Sequence, residues 1–407
     1  MFGIVEYLMT DNRYMSLVGI VAILGIAFLF SRNRNRIRPR QILTALAMQF
    51  GIAFFILKTS IGASMFMGIA HGFESLYRFA DQGCAFVFGN LANLEGPWGF
   101  VFAIKVVPII IFFGALMALM YHLGVVQLFV KGLAFAIRPL LGTSGAETLS
   151  VAANSMLGQT EAPLLIKNYL ARMTQSEMLT VMVSGMAHLS GSILAVYGLM
   201  GVPIVHLLSA SIMAIPGAIL IAKILMPEVE TPETLAGNKI DMKPATKNVL
   251  DALSSGTSDG LRLAVNVAAM LIAFISLMAM ASAILEFCTG FTLSAVFGKL
   301  FYGVAYLIGI PGVDCQAAGV LLGEKLVINE FVAYTHFIAS NLTPRSIAIL
   351  TYALAGFSNF SCIGIQIGGI GAICPEKREL LTRLGLMALL GGTLANLLNA
   401  SIAGLFI

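Results

Sequence analysis

The sequence predicts an all-α polytopic membrane protein, with eight transmembrane helices plus two re-entrant hairpins arranged as inverted repeats. Three observations carry that reading. Of the 407 residues, 58% are hydrophobic and only 11% charged, less than half the charged share of about 25% usual in soluble domains. Apolar runs close to the ~20 residues that cross a bilayer recur along the chain. Once in each half, polar and helix-breaking residues interrupt that pattern, and such interruptions are tolerated at membrane depth only where protein or water surrounds them.

The first span runs from Leu17 to Phe30, slightly short and extended by the residues before it. Ser31 to Arg40 then holds five arginines and no acid, which places this loop in the cytoplasm and the N-terminus outside. Acids ahead of the first apolar run, with no small-residue cleavage site after it, argue against a removable signal peptide. A second span, Ile42 to Leu57, returns outward. Lys58 to Trp98 mixes apolar residues with His71, Glu74, Arg78 and Asp81 and reads as a helix lying in the interface. The third span, Phe100 to Leu123, goes back in.

From Val130 to Arg172 the residues Pro139, Gly142, Gly145, Gly158 and Pro163 exclude a single helix. Leu149 to Leu157 and Ala162 to Leu170 read as half-helices meeting at the tip Gly158-Gln159-Thr160-Glu161, with Lys167 and Arg172 keeping both ends cytoplasmic. Spans Met178 to Met200 and Ile204 to Leu225 follow. Residues 227–260 form the long hydrophilic stretch, a cytoplasmic linker between two halves. A sixth span, Leu261 to Phe287, precedes the apolar piece Leu293 to Ile308. Gly312 to Leu342 repeats the earlier irregularity, with Glu324, Lys325, Asn329 and Glu330 between apolar arms. The seventh span, Ile347 to Ile373, is interrupted at Ser358-Asn359-Phe360-Ser361-Cys362, and the eighth, Leu386 to Ile407, ends outside. The order hairpin, helix, helix thus occurs in Val151 to Leu225 and again in Gly312 to Ile407. This is the signature of inverted-repeat secondary transporters, whose broken tips meet near the membrane midplane.

Some function classes drop out, while an ion channel and an intramembrane enzyme remain open. A net charge of +4, scattered along the chain, gives no nucleic-acid footprint. The five cysteines have no metal or disulfide spacing. No serine–histidine pairing or metal cluster points to an enzyme. An ion channel would want a continuous polar lining, whereas the two carboxylates here sit on opposed hairpins.

The residues also carry a resemblance. Gly158-Gln159-Thr160-Glu161-Ala162-Pro163-Leu164, Met173-Thr174-Gln175-Ser176-Glu177, Asn329-Glu330-Phe331-Val332-Ala333-Tyr334 and Gly356-Phe357-Ser358-Asn359-Phe360-Ser361 resemble the concentrative nucleoside transporter family over nearly the whole chain. The resemblance implies a homotrimer in a bacterial inner membrane, each protomer with a transport domain moving against a scaffold in an elevator-like way. Scaffold helices and the interfacial helix would occupy 1–130, and a scaffold helix with its connection 261–311. The hairpins and helices of the transport domain would occupy 131–226 and 312–407.

By the same resemblance, Gln159, Thr160 and Glu161 meet the nucleobase, with Ile193 packed near it and Phe357 as an apolar wall. Glu330 and Asn359 hold the ribose hydroxyls, and Cys362 stands where a serine usually touches ribose. The chemistry fits: an amide offers donor and acceptor to a base edge, and a carboxylate accepts from sugar hydroxyls. A sodium ion as coupling ion would sit on the Asn154 side chain, the Leu157 and Leu189 carbonyls and the position of His188, where a hydroxyl residue is usual. His188, with an unperturbed pKa near 6.5, instead raises proton coupling as an alternative. The implied function is sodium-coupled symport of nucleosides such as uridine; a nucleobase carrier of another fold is the other alternative. Plainer roles stand beside these. Glu161 and Glu330 could pair with Lys167 and Lys325, Asn154 and Asn359 could cap broken helices, His188 could bond to backbone, and Phe357 could pack in the core.

Overall fold

The computed structural model of the chain describes residues 7, 12–93, 101–235 and 246–407. Trp98, Phe100 and the middle of the hydrophilic stretch, residues 236–245, lie outside the described residues, as do the N-terminal acids. Among the described residues the structure is helical, without strands.

α1 (Arg13–Leu29), α2 (Pro39–Lys58) and α3 (Ser60–Phe88) come first. α3 is the expected polar-flecked helix, with the Thr59 side chain accepting from Gly62 N–H. α4 (Phe102–His122) matches the third span, and α5 (Val125–Leu141) follows it. Here the structure departs from the expectation that no single helix fits beyond Val130. α5 carries Pro139 in its last turn and stops only at Gly142, whose φ of 60° is left-handed.

The first hairpin is α6 (Gly145–Asn154), a turn, a 3₁₀ stretch (Ala162–Ile166) and the single turn α7 (Lys167–Leu170). Its second arm is mostly 3₁₀ and not the α-half-helix expected, with Pro163 at the start of that stretch. α8 (Gln175–Ala187) and α9 (Gly191–Leu199) form a broken span, and α10 (Ile204–Leu225) the next. The second hairpin is α13 (Cys315–Val327) and α14 (Glu330–Ala339), preceded by α11 (Val249–Thr289) and α12 (Leu293–Leu307). α13 continues through Glu324 and Lys325, so the tip is confined to Ile328 and Asn329. α15 (Pro344–Leu354) and α16 (Phe360–Ile373) form the second broken span, and α17 (Arg378–Phe406) closes the chain. The repeated order of hairpin, broken helix and unbroken helix is therefore present in both halves.

Among the described residues six helical stretches are long and apolar enough to cross a membrane by length and composition, and α1, α12 and α16 are shorter apolar helices. Burial sorts the long ones. In the most apolar stretch of α8–α9, 94% of residues are buried inside the protein, against 0% for that of α11. The core is thus built around the broken helices, while α11 turns most of its surface outward.

The hydrophilic stretch is shorter as a loop than expected, because α11 begins at Val249. Asn248 caps it by accepting from Asp251 N–H at 2.9 Å. The glycines in this part pack against α4: a Cβ at Gly256 would lie 2.7 Å from Gly114 O, and one at Gly260 2.9 Å from Ile111 Cα. Gly256-Thr257-Ser258-Asp259-Gly260 has the spacing of a serine-hydrolase elbow, but it is helix interior, with Ser258 donating back to Ser254 O, where that elbow needs a strand-to-helix turn.

Close helix approach through small residues is a main source of packing energy in membranes. Gly260→Ala should therefore cost about 1–3 kcal/mol, read as a lower thermal unfolding midpoint of purified protein. Gly303→Ala, inside α12 where an added Cβ meets nothing within 4 Å, should instead raise the midpoint slightly, since alanine favours a helix interior by about 0.5–1 kcal/mol.

Candidate functional site

At each break one residue ends a helix and a second, one to four residues on, caps the next. His188 is extended (φ −108°, ψ 162°), and Ser190 caps α9 by accepting from Ile193 N–H at 3.4 Å. Asn329 caps α14 by accepting from Val332 N–H at 2.9 Å. Asn359 caps α16 by accepting from Cys362 N–H at 3.0 Å. Ser190, Asn329 and Asn359 all line one cavity of 770 Å3, so three helix N-termini, each carrying partial positive charge, open onto it.

Gln159, Thr160, Glu161, Ile193, Glu330, Phe357, Asn359 and Cys362 line the same cavity. The second hairpin's carboxylate is firmly held. Glu330 is buried, accepting from Asn359 Nδ2 at 2.9 Å and from Tyr197 Oη at 3.2 Å. Asn359 thus caps a helix with its oxygen and orients the carboxylate with its nitrogen, and Ser361 Oγ also donates to that oxygen at 2.6 Å. Glu161 of the first hairpin is exposed to the cavity. Its side chain doubles back over Gly158, where any Cβ would strike the carboxylate. Gln159 donates from Nε2 to Cys362 Sγ at 3.3 Å, so the thiol serves there as an acceptor. Ile193 is buried and Phe357 half-buried.

The lysine pairings do not form: among the described residues no ion pair joins Glu161 to Lys167 or Glu330 to Lys325. Lys325 donates to Ala353 O at 2.7 Å and to Asn396 Oδ1 at 2.9 Å. Tyr197, Gln366 and Asn396 were not singled out by sequence, although a glutamine or asparagine inside an apolar span is itself a signal. Gln366 Nε2 donates to Gln159 Oε1 at 3.2 Å and to Met182 O at 3.0 Å.

Beside this cavity, Asn154 and His188 converge on Ser184. Asn154 Nδ2 donates to Ser184 Oγ at 3.1 Å, and its Oδ1 is buried with no hydrogen-bond partner. His188 Nδ1 lies 2.8 Å from Ser184 O. A carbonyl only accepts, so Nδ1 carries the proton and Nε2 is left as a bare acceptor, also unpartnered. Leu157 lines the cavity, and Leu189 sits in the break after His188. Among the described residues no three His, Cys, Asp or Glu side chains cluster as a metal site. An unpaired buried amide oxygen fits a hard cation, which prefers oxygen. The His188 ring is engaged with backbone and does not add such an oxygen.

Three family models match the chain. Residues 18–91 match the Na+ dependent nucleoside transporter N-terminus, residues 103–203 a nucleoside recognition (Gate) model, and residues 206–404 the Na+ dependent nucleoside transporter C-terminus. An uncharacterized transporter of Haemophilus influenzae is 44% identical over 96% of this chain and 97% of its own length. The nucleoside permease NupC of Helicobacter pylori is 40% identical over 98% of this chain and 99% of its own. The solved structure of CNTnw in an inward-facing substrate-bound state superposes with a TM-score of 0.93 at 40% identity, covering 97% of this chain and 98% of that one. Two carboxylates on opposed hairpin tips, set in a repeated helical frame that three family models cover almost end to end, place the chain in the concentrative nucleoside transporter family.

Proposed function

We propose that this protein is a sodium-coupled symporter that carries nucleosides such as uridine into the cell by an elevator-type alternating-access cycle. The observation that carries the reading is that Glu161 and Glu330, from the two hairpin tips, line one cavity, next to a buried amide oxygen at Asn154 that has no partner. Glu330, fixed by Tyr197 and Asn359, is set to accept from ribose hydroxyls. Gln159, Thr160 and Glu161 form the base end, with Ile193 and Phe357 as apolar walls. Cys362 faces the same space, its thiol already engaged with Gln159. Phosphorylated nucleotides are poor cargo, because their charge would meet two carboxylates in a low-dielectric cavity.

The cation site we assign to Asn154 Oδ1 and the carbonyls of Leu157 and Leu189, with His188 as a wall. Sodium bound there supplies positive charge that stiffens the first hairpin against the break between α8 and α9. Asn154 and Leu157 belong to the arm that carries Gln159, so ordering that arm raises nucleoside affinity, and the linkage is reciprocal. The bare Nε2 of His188 supports one rival, proton coupling. For the assembly we propose a homotrimer in a bacterial inner membrane with both termini outside, residues 131–226 and 312–407 as the moving domain, and 1–130 with 261–311 as scaffold.

Uptake into proteoliposomes under separately imposed gradients tests the coupling: an inward sodium gradient at uniform pH should drive accumulation of uridine. Accumulation driven by a proton gradient alone would replace sodium with proton coupling. Free uracil should compete poorly with uridine, since it has no ribose for Glu330.

Two substitutions should behave differently. Glu330→Ala removes charged acceptors of sugar hydroxyls and should weaken uridine binding about 10- to 100-fold at every sodium concentration. Asn154→Ala should weaken it mainly by flattening the sodium dependence of affinity. Equal losses with an unchanged sodium response in both variants would refute the assignment of the two sites.

A further inference from the structure

The face of α16 that touches the first hairpin repeats every turn. Cys362 meets Gln159, Gln366 meets Gln159 again, and Gly369 lets Thr160 approach, since a Cβ there would lie 2.7 Å from Thr160 Cγ2. These positions are spaced i, i+4, i+7, one helical face. Gln366 is fully buried at the centre of that face. Gly185 of α8 makes room for it: a Cβ at Gly185 would lie 2.6 Å from Gln366 Nε2 and 3.1 Å from Gln159 Cβ.

The orientation of this amide pair follows from a group that cannot be turned around. Met182 O is a backbone carbonyl and only accepts, so the Gln366 amide must present Nε2 to it, at 3.0 Å. Turned over, Gln366 would set its own oxygen against that carbonyl. With Nε2 fixed there, its second hydrogen goes to Gln159 at 3.2 Å, which requires Gln159 to offer Oε1. Gln159 Nε2 then points the other way, toward Cys362 Sγ and the cavity. One of its hydrogens meets the sulfur and the other remains for a ligand.

We propose that Gln366 is a positioning residue that locks the Gln159 amide with its N–H side toward the nucleobase, so that the site selects bases presenting a carbonyl acceptor there. The proposal rests on the reading of Gln159 as a base contact. Glu161, one residue beyond Thr160 on the same tip, accepts hydrogen bonds as a carboxylate. A donor from Gln159 beside an acceptor from Glu161 complements a carbonyl next to a ring N–H. Uracil and hypoxanthine carry that edge, whereas cytosine and adenine carry an amino group next to a bare ring nitrogen. Uridine should therefore outcompete cytidine, and inosine adenosine.

The test is competition for uridine uptake in proteoliposomes by uridine, cytidine, inosine and adenosine, in the wild type and three variants. In Gln366→Glu a protonated carboxyl donates to Met182 O in place of Nε2, and its other oxygen accepts from Gln159 Nε2, which turns the Gln159 amide around. The uridine-to-cytidine and inosine-to-adenosine preferences should each fall by about fivefold or more, with the sodium response unchanged. Gln366→Met removes the lock without imposing the opposite one and should move both ratios toward one; it decides the question if the glutamate variant does not fold. A residue with a merely packing role would lower all four affinities in proportion and leave the ratios alone. Gln159→Ala separates the two readings. If it weakens all four nucleosides while both Gln366 variants keep wild-type ratios, the orientation lock is overturned and the base contact stands. If it weakens none, the base contact is wrong and the lock falls with it.

Discussion

The centre of this protein depends on how the ends of its broken helices are paired. Each unpaired backbone group at membrane depth costs several kcal/mol, yet the chain breaks after Ala187 and again after Leu354. One side chain answers much of that demand. Asn396 of α17 donates through Nδ2 to Ala187 O at 2.8 Å and to Ala355 O at 2.6 Å. Its Oδ1 accepts from Lys325 Nζ at 2.9 Å and from Ser358 Oγ at 3.1 Å. Gly356 passes close by with a φ of 149°, and a Cβ there would lie 2.6 Å from Asn396 Oδ1. Both broken helices and the second hairpin are thereby tied to one point on the last helix, and Glu330 is held a few residues from that point.

The two halves use the same frame differently. On the second hairpin, Lys325 carries its own donors to the broken end of α15 at Ala353 O. On the first, Asn154 donates to Ser184 near the end of α8 and keeps a bare oxygen. Half of this arrangement is closed by a covalently attached donor, and the other half presents an acceptor without one. The open acceptor is of the kind that a hard cation complements. The capping residues repeat this economy. Ser190, Asn329 and Asn359 each end a break and also face the cavity, so the groups that make the helices start there are among those that define the site.

Much of this was legible in the sequence because membrane burial punishes polar residues. The tips at Gly158–Glu161 and Asn329–Glu330, and the interruption at Ser358–Cys362, stood out for that reason, and the structure brings them to one cavity. Other features were hidden. The start of α11 at Val249 was masked by small polar residues that read as linker and are in fact a packing face against α4. The 3₁₀ second arm of the first hairpin looked like a half-helix because its apolar pattern is the same over so short a length. Gln366 and Tyr197 lay within apolar runs, and their importance comes from partners more than a hundred residues away.

By itself the sequence determined the membrane class, the repeated order of hairpin and broken helix, and which polar residues had to be shielded from lipid, because those follow from composition and local chain physics. Only the tertiary structure decided which of those residues meet. It set Glu330 against Tyr197 and Asn359 and gave Lys325 to the Ala353 carbonyl and Asn396. It also turned His188 to its own helix end and joined Gln159 to Gln366 and Cys362. Hydrogen-bond partnership is a matter of a few tenths of an ångström between distant segments, and no local pattern carries that information.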